Sequence, residues 1–106
     1  MITIDEFKRL ELKVGRIIEA QLHPNADKLL VLSVDVGGVK KQVVAGIVRH
    51  YQPAELPGKL VVIVDNMEPA VIRGVESQGM LLAASHDQIL TLIAPEKPIP
   101  SGALVR

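Results

Sequence analysis

Turn-forming residues interrupt this chain before any segment grows long enough to cross back over a sheet as a helix. His23-Pro-Asn-Ala-Asp27 is the first interruption: proline fixes φ, and asparagine and aspartate favour local side-chain bonds. Gly37-Gly38 is the second, with the residues a tight hairpin requires. Tyr51-Gln-Pro-Ala-Glu-Leu-Pro-Gly58 is a connector with room for one short helical turn, and Ser85-His-Asp-Gln88 separates two further apolar runs. Parallel strands need crossovers of a dozen or more residues, which these intervals do not provide. The segments between the turns read as strands over Leu12–Leu22, Leu29–Val36, Lys41–Val48, Lys59–Asp65, Met80–Ala84 and Ile89–Ile93. In the second, the even positions Leu30, Leu32, Val34 and Val36 stay apolar while Ser33 and Asp35 turn polar, the period-2 pattern of a half-buried strand. Leu60-Val-Val-Ile-Val64 is apolar throughout, so both its faces must be covered, by core and helix or by a second subunit.

Upstream, Thr3-Ile-Asp-Glu6 has the form of a capping box, with acids where a helix N-terminus favours them. A short helix over about Ile4–Leu10 is expected, with Ile4, Phe7 and Leu10 along one stripe. The tail from Pro95 to Gly102 carries too many prolines for a strand and reads as an extended arm. Short strands, a connector before the fourth of them and no crossover helices point to an all-β, five-stranded OB-fold barrel with a short N-terminal helix and a small connector helix. Residues 1–106 are read as a single domain.

The chain is 48% hydrophobic with a mean hydropathy of +0.30, more apolar surface than a domain of 106 residues can bury by itself. A subunit interface, and so a homodimer, is the expectation. Cysteine is absent, which removes disulfides, thiol nucleophiles and cysteine-held metals and fits a reducing compartment. The N-terminus has acids where a secretory leader has bases, and no apolar run nears the roughly 20 residues that span a bilayer. A soluble, cytoplasmic chain with no membrane partner is expected.

No constellation of catalytic type stands out. His23, His50 and His86 are dispersed and lack zinc-motif spacing, so no metal site is expected. The serines form no nucleophile elbow, and there is no phosphate-cradling glycine loop and no cofactor motif. Binding has better material. Net charge is zero, yet Val36–Ala54 holds Lys40, Lys41 and Arg49 and no acid, so any nucleic-acid site is local. Polar clusters at His23–Lys28, Lys40-Lys41-Gln42, Asn66–Arg73 and Ser77-Gln-Gly-Met80 break an otherwise apolar chain. In an OB barrel, loops and strand faces of this kind form one groove for oligonucleotides. Phe7 and Tyr51 are the only aromatics, and Phe7 reads as core. Stacking a run of unstructured bases takes several aromatics. An RNA partner would therefore be a folded one, recognised by shape and backbone with one or two unstacked bases.

At these clusters the chain resembles a known family, the tRNA-binding domain appended to methionyl-tRNA synthetases. That family includes free-standing tRNA-binding proteins, an export-chaperone-like branch and the endothelial-monocyte-activating polypeptide. The resemblance rests on Phe7-Lys-Arg-Leu-Glu-Leu-Lys-Val-Gly-Arg-Ile17, His23-Pro-Asn-Ala-Asp-Lys-Leu29, Val34-Asp-Val-Gly37, Gln42-Val-Val-Ala-Gly46, Asn66-Met-Glu-Pro69 and Arg73-Gly-Val-Glu-Ser-Gln-Gly-Met-Leu-Leu-Ala83. These stretches are collinear and cover nearly the whole chain. The resemblance implies a non-catalytic OB-fold that binds tRNA by shape and holds it near an aminoacyl-tRNA synthetase. It implies a homodimer joined through the N-terminal helix and C-terminal segment, or the small subunit of a split synthetase.

By position, the resemblance places Asn25 and Lys28 beside the groove and Lys41 and Gln42 where the family has Arg-Gln. It includes Asn66, assigns Arg73 to phosphate, and sets Ser77 and Met80 around a tRNA nucleotide. Their bland readings are a turn cap for Asn25, a solvated lysine for Lys28 and core for Met80. The chain departs from the pattern at Glu68, where lysine is usual, at Val71, where a base is usual, and at Ala45-Gly46 in place of Ser-Gly. These departures would lower the salt slope of RNA binding by about one to two units. They favour the alternative, a chaperone-like or docking module for protein partners; Lys40, Lys41 and Arg73 favour RNA.

Overall fold

A computed structural model describes residues 1–106. Thr3 caps the first helix, α1 (Ile4–Phe7): its hydroxyl accepts the Glu6 amide at 3.1 Å while the Glu6 carboxylate accepts the Thr3 amide at 3.1 Å. The helix is shorter than its sequence pattern, because the next bonds, from Arg9 N–H to Glu6 and from Leu10 N–H to Phe7, span three residues and tighten the coil. Ile4 and Leu10 stay exposed; only Phe7 of the expected stripe packs inward.

Ten strands follow: β1 (Leu12–Leu22), β2 (Leu30–Val36), β3 (Val39–Ala45), β4 (Leu60–Val64), β5 (Ala70–Ile72), β6 (Val75–Ser77), β7 (Met80–Leu81), β8 (Ala83–His86), β9 (Ile89–Leu92) and β10 (Leu104–Val105). A 3-10 turn, Pro53–Glu55, occupies the connector. The main sheet runs β3-β2-β1-β4-β7, antiparallel throughout, with β10 beside the start of β1. This is the five-stranded, curled sheet of an OB-like barrel. The fifth expected strand is broken at Leu82, whose amide bonds Val62 and whose carbonyl takes Ile93, so β8 and β9 separate as a hairpin.

A core of Ile17, Leu30, Leu32, Val34, Val43, Leu56, Val61 and Ile63 fills the barrel. The outer face of β4, Val62 and Val64, is covered from within the chain by Leu12, Phe7, Leu82 and Val105. β3 begins two residues earlier than its sequence reading, since Gly37 and Gly38, at φ 63° and 92°, make a two-residue turn directly into Val39. The β5–β6 hairpin falls in a stretch read only as polar clusters, and β10 extends the chain beyond the expected arm.

Two features close the barrel between β3 and the β6–β7 segment. The Gln78 amide donates to the Gln42 carbonyl at 2.7 Å, and the Val44 amide donates to the Ser77 hydroxyl at 3.0 Å. Gly79 permits this approach: a Cβ there would lie 2.8 Å from Ile63 Cδ1.

Candidate nucleic-acid interface

His23 is the joint on which the candidate site is built. It is buried, 5% exposed, at the end of β1. Its Nδ1 accepts the Asn25 amide at 2.9 Å, so Nε2 carries the proton and donates to the Ile72 carbonyl at 2.9 Å. The turn after β1 is thereby fastened to the β5–β6 hairpin, 49 residues further on. A second bond, from Asn25 Nδ2 to the Arg73 carbonyl at 3.2 Å, joins the two tips. Asn25, Ala26, Asp27, Lys28, Leu29 and Arg73 line one shallow groove, with Lys28 and Arg73 both exposed.

Arg73 and Gly74 turn this hairpin with φ of 53° and 88°. Two consecutive left-handed residues are the geometry that favours Asn-Gly, and a long side chain in the first position costs roughly 1 kcal/mol. An arginine held there is displayed at the apex, with its backbone fixed and its guanidinium in water.

A second recess lies on strands β1, β2 and β3. Residues directly paired across antiparallel strands point to the same face. Glu19, Ser33 and Gln42 are such partners across β1, β2 and β3. With Gln21, Lys40 and Gln78 they line a cleft on the outer face of the barrel. The strand β1 leads from this cleft into the His23 turn, and the β5–β6 hairpin leads from Gln78 back to Arg73. These two elements connect the recesses along the chain.

Several residues expected to bind are occupied within the fold. Lys41 shares the parity of Val43 and points to the barrel's end, where its Nζ lies 2.6 Å from Asp65 Oδ1 and donates to the Asp65 carbonyl at 2.7 Å. Lys13 reaches the other oxygen of the same carboxylate at 2.8 Å. Burial would raise the Asp65 carboxyl, but the hydrogen bonds and charges of Lys13 and Lys41 outweigh it and hold the group below its ordinary value. The same hydrogen bond and charge raise the Lys13 ammonium. Asn66 is exposed, but both ends of its amide are engaged, accepting from Glu11 N–H at 2.9 Å and donating to the Arg9 carbonyl at 2.7 Å. It clamps the entry into β1. Ser77, 5% exposed, donates to the Gly79 carbonyl at 3.0 Å while accepting from Val44, so its hydroxyl serves barrel closure. Gln42 donates from Nε2 to the Glu76 carbonyl at 2.8 Å, leaving its carbonyl oxygen toward the cleft. Met80 is 45% exposed on β7 and is not core.

The profile of the family described as "Putative tRNA binding domain" matches residues 12–104. The chain belongs to that family. Its curated relatives include a methionine–tRNA ligase of Pyrococcus furiosus, 50% identical over 105 residues, covering 99% of this chain and 14% of that protein. A methionine–tRNA ligase of Thermotoga maritima is 49% identical over 104 residues, 98% of this chain and 16% of the other. The chain thus spans only about a seventh of the length of these relatives. Among solved structures, a MetRS-related protein from Pyrococcus horikoshii matches with a TM-score of 0.93 at 36% identity, covering 100% of this chain and 98% of that one. The chaperone CsaA of Bacillus anthracis matches with a TM-score of 0.91 at 27% identity, over 100% and 99% of the two chains.

Within this family fold, the sequence reading counted Lys40 among the cations that favour RNA but placed Lys41 in the site, and it gave His23 and Gln78 no role beyond membership of polar clusters. Lys40 was legible by parity, since starting β3 directly after Gly37-Gly38 puts Lys40 and Gln42 outward and Lys41 inward. Gln78 and His23 were not, because their roles depend on contacts with residues 36 and 49 positions away.

Proposed function

We propose that this chain binds folded tRNA without catalysing a reaction on it, as an accessory module or small subunit of a methionyl-tRNA synthetase. The observation that carries this reading is the meeting of the His23–Lys28 turn with the Arg73 hairpin tip, which sets two exposed cations and the Asn25 amide around one groove. Lys28, Arg73 and Lys40 take phosphates, while Asn25, Gln42 and Met80 meet sugars or an unstacked base. Ser77 supports this surface through barrel closure, while Lys41 and Asn66 are held in internal bonds at Asp65 and at the entry into β1. Family membership and the ligase relatives support the choice of tRNA as the partner.

The protein acts as a homodimer in the cytoplasm in this reading. Ile2, Leu10, Val64 and Met67 form an open apolar recess at one end of the barrel. Leu104, on β10, is also exposed, at 61%, and β10 packs Val105 into the cluster that holds Phe7. The likeness to a chaperone favours a second reading, a protein-binding module, as do Glu68 and the exposed Val71.

Fluorescence anisotropy with labelled tRNA and an unstructured RNA of equal length separates the two. The tRNA reading expects the folded molecule to bind more tightly. Equal binding, or none at low salt, contradicts it and turns the search to protein partners.

A further inference from the structure

Gln42 and Gln78 hold one another in fixed orientations on the outer face of the barrel. The Gln42 amide N–H donates to Gln78 Oε1 at 2.8 Å, and the Gln78 amide N–H donates to the Gln42 carbonyl at 2.7 Å. A backbone N–H can only donate, so Gln78 Oε1 must be the bonded end of its amide, and its NH2 group is the free one. Gln42 is the reverse: its NH2 donates to the Glu76 carbonyl at 2.8 Å, and a carbonyl can only accept, so the free end is Oε1. Neither amide can flip without losing a bond that closes the barrel.

Both residues line the same cleft, so one preset acceptor and one preset donor belong to a single recess. Glu19 and Ser33, in register with Gln42, add a carboxylate and a hydroxyl, and Lys40 lies at the same recess. The cleft, at 250 Å3, is smaller than the roughly 300–1,000 Å3 of pockets that enclose a larger ligand. It has room for one planar base, and no aromatic side chain lines it.

We propose that the cleft between Gln42 and Gln78 is a subsite for the Watson–Crick edge of a single unstacked nucleobase whose 4- or 6-position amino group lies next to a ring-nitrogen lone pair, that is, adenine or cytosine. This deepens the tRNA-binding reading and rests on it. The base amino group donates to Gln42 Oε1 and, through its second hydrogen, toward Glu19. The ring nitrogen accepts from the Gln78 NH2. Uracil and guanine place an N–H where that ring acceptor is needed, and so set donor against donor. A donor–acceptor pair of this kind discriminates by about tenfold.

The test uses the full chain and four RNA stem-loops identical except for loops of all-A, all-C, all-U or all-G, with tRNA measured alongside. Wild type is expected to bind the A and C loops about tenfold more tightly than the U and G loops. Gln78→Glu keeps the acceptor for the Gln42 amide but replaces the donor with a carboxylate. Its added charge weakens every RNA alike and cancels in the ratios. The A and C preference is expected to disappear or reverse, with the melting temperature close to wild type. Equal binding of the four loops by wild type, or a preference that Gln78→Glu leaves intact, overturns the subsite while tRNA binding stands. Loss of tRNA binding itself overturns both.

Discussion

At the scale of single residues, Arg73 and Asp65 separate what a side chain does for the fold from what it offers to a partner. Arg73 contributes its backbone carbonyl to Asn25 and nothing else to internal bonding, in a conformation that glycine adopts without strain. Arg73→Gly is therefore expected to leave thermal stability within about 1 kcal/mol of wild type, as relief of the left-handed strain offsets added chain entropy. The same change is expected to remove one phosphate contact, readable as a salt slope flatter by about 0.9. Asp65 behaves oppositely. Its carboxylate is 14% exposed between two lysines, and Asp65→Asn leaves both cations facing each other, with an expected loss of about 1–3 kcal/mol in denaturant unfolding. Because its folded value lies below the ordinary 3.8, the stability it contributes is complete above that pH and is lost as the pH falls through the folded value. Acid unfolding of wild type should be steeper below pH 3.8 than that of Asp65→Asn; parallel curves would show that the ion pairs contribute nothing.

At the scale of elements, the turns and the long strands were legible and the small ones were not. β1 and β2 follow directly from apolar spacing and from the prolines and glycines that end them. β5 and β6 are three residues each, with Val71 and Glu76 exposed, so no hydrophobic pattern marks them. They exist because His23 supplies the Ile72 carbonyl with a donor and because β3 offers Ser77 and Gln78 an edge. In the candidate site, the turn at His23–Asp27 was legible from its proline, asparagine and aspartate, whereas Lys28 and Arg73 were placed by the family resemblance and the Arg73-Gly74 turn was not read. Lys41, Asn66 and Ser77 are polar residues whose partners lie 24, 55 and 33 positions away, a relation that composition does not reveal. His23 gives the element-scale prediction. His23→Leu keeps the bulk of the buried ring but strands the Asn25 amide and the Ile72 carbonyl, at roughly 1–3 kcal/mol each if water does not reach them. Hydrogen exchange should rise in residues 70–77 more than in β1–β4, and RNA affinity should fall with Lys28 and Arg73 both intact. Uniform loss of protection across the barrel would contradict the view of His23 as a local joint.

At the scale of the whole molecule, two surfaces remain open: the apolar end around Leu10 and Met67, and the polar face from Arg73 through Lys28 to Lys40. In the homodimer reading the first joins two copies and the second stays free for RNA. Leu10→Glu, at an exposed position, is expected to yield a folded monomer in sedimentation velocity; an unchanged sedimentation coefficient would place any self-association elsewhere. The most direct test of the central claim is tRNA affinity at about 50 and 200 mM salt for wild type and Arg73→Gly. With three phosphate contacts from Lys28, Lys40 and Arg73, wild-type affinity should fall about 40-fold over that range and the variant's only about 12-fold. A wild-type affinity indifferent to salt, or the same slope in both proteins, would contradict the assignment of this face to the tRNA backbone.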